Sequence, residues 1–284
     1  MGASKNRKQK FLDANPLCFF CGRPAQTIDH IPSRQCFKNR VWPEGYEFPA
    51  CLPCNNDAGP LEQVVALYLL MGNHDGDETG SDLLKLITGV RNNSPQFLPK
   101  MEISANAKKR ALPLYNFPFP ADEAIANAPI VELPDGNRTA FEAFERRLTC
   151  ALYYKHMQEV MPTSHMMRTF RLQAIQKSAD DLVRTAAPML PNGVVTKRQN
   201  TDIGDQFFYN WYADQATKTF VFLSQFSQSF VFIGVACRPE NAKGGDDYRS
   251  HSSDFSTVEV AEDRQSGNSE NPFHLGAGKL STYN

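Results

Sequence analysis

Two pairs of cysteines lie near the start of the chain, and each pair encloses two residues. They are Cys18 with Cys21 and Cys51 with Cys54, among seven cysteines in 284 residues. Four thiolates are the ligand set that a structural Zn²⁺ prefers, and the 29 residues between the pairs leave room for a hairpin. An odd number of cysteines argues against a disulfide framework. We therefore expect a zinc site here, and ordinary buried thiols at the remaining cysteines, Cys36, Cys150 and Cys237.

Between the two pairs an acid stands next to a histidine, Asp29-His30, in the stretch TIDHIP. An imidazole titrates near neutral pH and can accept a proton from water. Oxygen ligands from aspartate and asparagine suit Mg²⁺, and Asn55 directly follows the last cysteine. An isolated Asp-His pair is usually part of a turn. Its position between two cysteine pairs favours an active-site interpretation.

The order Cys-x-x-Cys-Gly, Asp-His-Ile-Pro, Pro-Ala-Cys-x-x-Cys-Asn resembles the zinc-bearing subgroup of the HNH, or ββα-metal, nuclease family. The resemblance covers residues 16–70. It implies that His30 is the general base, and that Asp29 and Asn55 hold a catalytic Mg²⁺ or Mn²⁺. The implied activity is endonucleolytic hydrolysis of DNA phosphodiester bonds, in a bacterial or phage defence context.

The chain departs from the family at the central asparagine that orients the histidine. Tyr46 and Glu47 stand at that place, and Glu47 is able to replace the asparagine by accepting a hydrogen bond from the imidazole. Asn56 and Asp57 are alternative metal ligands if the helix register differs by one. The departure supports a second hypothesis, a catalytically degenerate zinc-binding module that binds nucleic acid or a protein partner.

Charge is distributed unevenly along a chain whose formal net charge is only −1. The first 60 residues carry 8 Lys/Arg and 5 Asp/Glu, whereas residues 239–284 carry 4 and 8. Backbone contacts to nucleic acid, with double-stranded DNA as the leading substrate, are therefore expected from basic residues of the first segment. These are Lys5, Arg7, Lys8, Lys10, Arg34, Lys38 and Arg40. The later residues Arg146, Arg147 and Lys155 are interpreted as a solvated helix face.

The pattern of apolar residues predicts an α+β fold, a small zinc-bound ββα-metal (HNH) module followed by a helical and antiparallel-stranded C-terminal domain. Helices are expected from Gly59-Pro60 to Met71, over 81–91, over 139–158 and over 164–185. Strands are expected over 207–212, 219–223 and 230–235, forming an antiparallel meander on the last two helices.

Five segments follow from this pattern. They are a basic arm (1–10), the zinc-bound module (11–72), a loop-rich linker (73–136), the C-terminal domain (137–238) and a disordered acidic tail (239–284). The C-terminal domain is a candidate site for a protein partner or regulator. The polar N-terminus and the lack of an apolar run of about 20 residues predict a cytoplasmic protein without a membrane segment.

Overall fold

The computed structural model describes residues 2–72, 80–100, 104–111, 131–134, 136–174, 177–199, 201–227 and 229–242. Nearly half of the predicted linker and nearly all of the predicted acidic tail lie outside these residues. The described part is a mixed fold of helices and antiparallel sheets.

The N-terminal part consists of a helix, a hairpin and a second helix. Helix α1 spans Gly2–Ala14 and so includes the predicted basic arm. Strands β1 (Thr27–His30) and β2 (Glu47–Ala50) pair antiparallel, with Thr27 opposite Ala50 and His30 opposite Glu47. The loop between them contains two short 3₁₀ turns, Arg34–Cys36 and Lys38–Arg40.

Helix α2 spans Leu52–Met71 and begins earlier than the sequence pattern predicts. Its first turn contains Pro53, the second residue after the N-capping residue Cys51, and proline is well tolerated there because the first N–H groups of a helix have no internal partner. Pro60 lies inside the helix rather than at its start. The missing N–H of Pro60 leaves one carbonyl unpaired on an exposed turn, where water can satisfy it.

Three further helices follow. Helix α3 (Gly80–Asn93) agrees with the prediction over 81–91. A short helix α4 (Ala105–Ala111) lies in the segment predicted to be a loop-rich linker. Helix α5 (Asn137–Met157) agrees with the prediction over 139–158, and it buries the predicted apolar face, Phe141, Phe144, Leu148, Ala151 and Leu152.

The helix predicted over 164–185 is wrong in its first half. Strand β3 (Met166–Gln173) occupies that half, and helix α6 (Lys177–Ala186) the second. The residues of β3 have an acceptable helical composition, but all eight pair with the last strand of the chain. Tertiary pairing overrides local propensity here, as it often does in strands.

The remaining strands complete an antiparallel sheet. Strands β4 (Asn192–Val195), β5 (Lys197–Arg198) and β6 (Thr201–Asp202) are short, and β7 (Phe208–Asp214), β8 (Thr219–Phe226) and β9 (Phe230–Cys237) form the predicted meander. The order in the five-stranded sheet is β3-β9-β8-β7-β4, and β5 and β6 make a separate hairpin. The prediction of the meander is confirmed.

One hydrophobic core joins the N-terminal part to the sheet. Residues 64–70 of α2 are all buried, which is typical of a helix covered on every side. Helix α5 packs closely on β9 at Gly234, where an added Cβ would lie 2.5 Å from the Thr149 hydroxyl of the helix. The Tyr46 hydroxyl donates to that of Tyr209 across 3.0 Å, and this contact links the hairpin to β7. None of the described helices combines the length and hydrophobicity that a membrane crossing requires.

Candidate metal centre and basic surface

The four paired cysteines converge on one point. Cys18 and Cys21 lie in a tight turn closed by Gly22, whose φ of +71° suits glycine, and whose amide donates to the Cys18 carbonyl. Cys51 and Cys54 lie at the start of α2. All four Sγ atoms are within 4.8 Å of one another, and those of Cys21 and Cys51 are 3.6 Å apart.

This sulfur geometry fits a tetrahedral metal. A Zn²⁺ ion with Zn–S bonds of about 2.3 Å has S···S edges of about 3.8 Å. Cys18 and Cys51 are buried, Cys54 is half-buried and Cys21 is exposed, and without a metal their sulfurs have weak hydrogen bonds only. The cluster is therefore able to hold a metal ion such as zinc, and the other three cysteines are buried free thiols as expected.

The protein environment prepares one of these thiols for ionisation. Burial raises the pKa of Cys21, but hydrogen bonds from Arg23 outweigh it and bring the pKa down to about 6. The Arg23 Nε lies 3.3 Å from the Cys21 Sγ. At Cys18 and Cys54 burial raises the pKa, so these two thiols lose their protons only when a metal takes their place.

Asp29 lies in a buried ionic cluster rather than at an open ligand position. One carboxylate oxygen accepts from the backbone N–H of His30 at 2.8 Å, and the other forms a salt bridge with Arg147 of α5. Arg147 also donates to Glu62 at 3.2 Å and to the Cys54 carbonyl at 2.8 Å. Asp29, Glu62 and Arg147 are 6%, 7% and 5% exposed. The interpretation of Arg147 as part of a solvated helix face is therefore wrong.

Two carboxyl groups share one guanidinium in this cluster, which we call the Arg147 cluster. Burial raises the pKa of Asp29 although Arg147 opposes the shift. Burial, followed by the charge of Asp29, raises the pKa of Glu62 to about 7. A single proton on the two carboxyls leaves the cluster neutral, which is the favoured state in a low-dielectric interior.

Strand alternation directs His30 to the other face of the hairpin from Asp29. Its Nε2 accepts a hydrogen bond from the Arg34 guanidinium at 2.6 Å, and its ring meets the edge of Trp42 at 5.2 Å. Burial, and then the charges of Arg34 and Arg198, lower the pKa of His30 to about 4. The imidazole is therefore neutral at pH 7, and its ring contacts these residues and not Glu47.

Asn55 is half-buried on the Asp29 side of the hairpin, where its amide donates to the Thr27 hydroxyl at 3.4 Å. The alternative ligands Asn56 and Asp57 are exposed on α2. The expected catalytic Mg²⁺ or Mn²⁺ does not fit these groups as they stand, because Arg147 and a backbone amide occupy both oxygens of Asp29. The structure thus places Asp29 and Asn55 on one side and His30 on the other.

The predicted nucleic-acid contacts are spread over two surfaces. Arg7, Lys8 and Lys10 are exposed on α1, and Arg7 lies 4.0 Å from Glu47. The Lys5 side chain is outside the described residues. Arg34 and Arg40 are exposed in the loop between β1 and β2, and Lys38 is half-buried, with its backbone N–H donating to Gln206.

Three residues of these sites were not predicted from the sequence, Glu62, Trp42 and Arg198, and a fourth, Arg147, was assigned to the wrong environment. The Arg198 guanidinium carbon lies 3.6 Å from the centre of the Trp42 indole, and that of Arg34 lies 3.8 Å from it. The one local signal for a buried ionic group was the position of Glu62 inside the apolar run of α2. Nothing local marks Arg147 or Arg198, because each is far along the chain from the residues it contacts.

Comparisons with protein-family models, curated proteins and solved structures gave no match for this chain.

Proposed function

We propose that the protein binds nucleic acid through the basic face of the β1–β2 hairpin, with a zinc ion in the cysteine cluster holding the hairpin against α2. The observation that carries the proposal is a surface of like charge around His30. Arg34 and Arg198 both stack on Trp42 there. In the described part of the chain no carboxylate lies within 4.0 Å of either guanidinium. Excess positive charge without a counter-charge favours an anionic partner.

The basic residues that the sequence predicts to contact nucleic acid support the same partner. Arg40 lies in the same loop as Arg34, and the exposed basic residues of α1 add positive charge in the segment that precedes the hairpin. Such contacts go to phosphates, so they bind the backbone without reading its sequence. Double-stranded DNA is the first substrate to test, since the resemblance to HNH nucleases favours it.

Hydrolysis of the bound strand is the second candidate function. One observation favours it, the neutral imidazole of His30 beside two arginines, because a general base must be unprotonated before it takes a proton from water. Against it, Arg34 already occupies the Nε2, and a pKa of about 4 makes the imidazole a weak base at pH 7. The Arg147 cluster argues against hydrolysis, because Arg147 forms a salt bridge with the Asp29 carboxylate that a catalytic cation would need as a ligand. Binding without cleavage is therefore the function that the geometry supports best.

The test combines a binding titration with a plasmid-nicking assay. We expect the zinc-loaded full-length protein to bind a labelled DNA duplex with an affinity that falls steeply with salt, and to leave supercoiled plasmid intact in Mg²⁺ or Mn²⁺. Absence of binding to duplex DNA, single-stranded DNA and RNA at low salt would refute the proposal.

Nicking that requires a divalent cation and disappears in His30→Ala would establish the second candidate instead. Nicking that persists in His30→Ala would point to a contaminating nuclease. Lys109→Ala, at an exposed lysine of helix α4, serves as the control for loss of one surface charge outside the hairpin.

A further inference from the structure

The loop between β1 and β2 and the β5–β6 hairpin meet at one place. The Glu44 amide donates to the Lys197 carbonyl at 2.9 Å, and the Lys38 amide donates to the Gln206 side chain at 2.9 Å. These two hydrogen bonds bring Arg198 next to Trp42 and Arg34, although it belongs to the C-terminal part of the chain. The resulting group, which we call the Trp42 clamp, consists of His30, Arg34, Trp42 and Arg198.

The Trp42 clamp is rich in donors and poor in acceptors. Both guanidinium groups stack on the indole, which orients their N–H groups but does not neutralise their charge. The Trp42 Nε1–H is buried and has no acceptor among the described residues. The one acceptor in the group, the His30 Nε2, is already bonded to Arg34.

Two neighbouring cations repel each other, and the protein provides little to offset this. Arg198 and Arg40 add positive charge near Arg34, and Glu47 is the one acid that counters it. Glu47 is itself shared with Arg7 of α1. An oxyanion placed between the guanidinium groups would supply the missing negative charge and several acceptor atoms.

We propose that Arg34 and Arg198, held on Trp42, form a binding site for a phosphate group. This inference rests on the proposed function, because a nucleic acid is the phosphate-bearing ligand expected there. It adds Arg198, a residue outside the segment that carries the cysteine cluster. Planar guanidinium groups suit the tetrahedral oxygens of phosphate, and a lysine would not reproduce both the stacking and the fork of N–H groups. A free nucleotide offers the same chemistry as a backbone phosphate, so the test must separate the two.

The experiment uses Trp42 as a reporter at the site itself. The chain has two tryptophans, so Trp211→Phe leaves Trp42 as the single emitter. In this background the full-length zinc-loaded protein is titrated with inorganic phosphate, a nucleoside triphosphate and DNA duplexes of about 20 base pairs. In parallel, anisotropy with labelled duplex compares Arg34→Ala, Arg198→Ala and Arg198→Lys with Lys197→Ala, the adjacent exposed cation.

We expect DNA to change the emission of Trp42, and Arg198→Ala and Arg34→Ala to weaken DNA binding about tenfold and to lower the salt slope by about 1. Arg198→Lys should lose most of that affinity, whereas Lys197→Ala should change it less than about twofold. Circular dichroism and zinc content check that each variant is folded.

The outcomes separate the two proposals. If wild type binds DNA but Arg34→Ala and Arg198→Ala bind it as well as Lys197→Ala does, the phosphate site is refuted and the proposed function stands. If no nucleic acid binds but phosphate or the nucleotide changes Trp42 emission in an Arg198-dependent manner, the proposed function is refuted and the site serves a free nucleotide. If no ligand changes the emission of Trp42 and no nucleic acid binds, both the phosphate site and the proposed function are refuted.

Discussion

At Arg147 one guanidinium serves two carboxylates and a backbone carbonyl inside the protein. All three of its nitrogens donate, to Asp29, Glu62 and the Cys54 carbonyl. A single side chain on α5 therefore fixes β1 to the start of α2, where Cys51 and Cys54 lie. Burying such charges is costly, and the cost is recovered only while every partner is present.

Replacing Arg147 should destabilise the protein far more than replacing an exposed arginine of the same helix. Arg147→Met keeps much of the volume but leaves two buried carboxyls without a cation. We expect its free energy of unfolding to fall by about 3–5 kcal/mol. Arg138 pairs with Glu142 at the surface, so Arg138→Ala should cost no more than about 1 kcal/mol. Urea denaturation with zinc in the buffer measures both, and equal losses would contradict the cluster.

The raised pKa of Glu62 predicts a pH dependence with a definite sign. The folded protein holds a proton on Glu62 up to about pH 7, whereas the ordinary carboxyl pKa is 4.5. Its contribution to stability is therefore fully present below about pH 4.5 and is lost as the pH rises through about 7. Between pH 5 and 8 the free energy of unfolding of wild type should fall relative to that of Glu62→Gln, by about 3 kcal/mol at most. A difference that stays constant with pH would contradict this assignment.

At the scale of elements, the turn at Cys18–Cys21, a hairpin of two four-residue strands and the start of α2 depend on the cysteine cluster. Such short strands are marginal by themselves. A metal bound by the four thiolates would supply the missing stabilisation, because the unfolded chain has no preformed site.

Loss of one ligand should therefore release the metal and lower the thermal stability. Cys54→Ser is expected to reduce bound zinc well below one per chain and to lower Tm by about 10 °C or more, since each kcal/mol is worth about 2–4 °C. Cys237→Ser, at a buried cysteine outside the cluster, is expected to keep its zinc. Elemental analysis and thermal scans test this. A full equivalent of zinc in Cys54→Ser would exclude the four-cysteine site.

At the scale of the molecule, the zinc-binding segment and the C-terminal sheet share one core. The same cluster of buried side chains runs from Cys18 and Phe19 through α2 and α5 to Phe232 of β9. Residues 64–70 of α2 are buried on all sides, so this part of the helix needs α3 and α5 to cover the faces that the hairpin leaves open.

A fragment of residues 1–100 should therefore fail to fold as a unit. It retains all four cysteines and is expected to bind zinc, but to unfold without a cooperative transition, because α5, which covers one face of α2, is missing together with the sheet. The full chain is the control and should show a cooperative transition in the same buffer. A sharp transition in the zinc-loaded fragment would mean that the first part of the chain is an independent domain.

The sequence by itself determined the features that depend on local spacing. Two Cys-x-x-Cys pairs predicted the sulfur cluster, because a tetrahedral ion needs ligands at that short separation. Periodic apolar residues predicted α3, α5 and the three-stranded meander. The start of α2 was misplaced because Pro60 suits a helix start as well as an exposed turn within the helix.

Only the tertiary structure decided what surrounds the candidate site residues. Neighbours in the chain, Asp29 and His30 face opposite sides of a strand, so one enters the Arg147 cluster and the other the Trp42 clamp. Packing of α5 brings Arg147 to Asp29, and packing of the β5–β6 hairpin brings Arg198 to Trp42. The residues of each pair are more than a hundred positions apart in the sequence, so no local pattern predicts their contact. Packing of the shared core thus determines which residues surround Asp29 and His30. The stability of that core depends on burial and charge rather than on spacing along the chain.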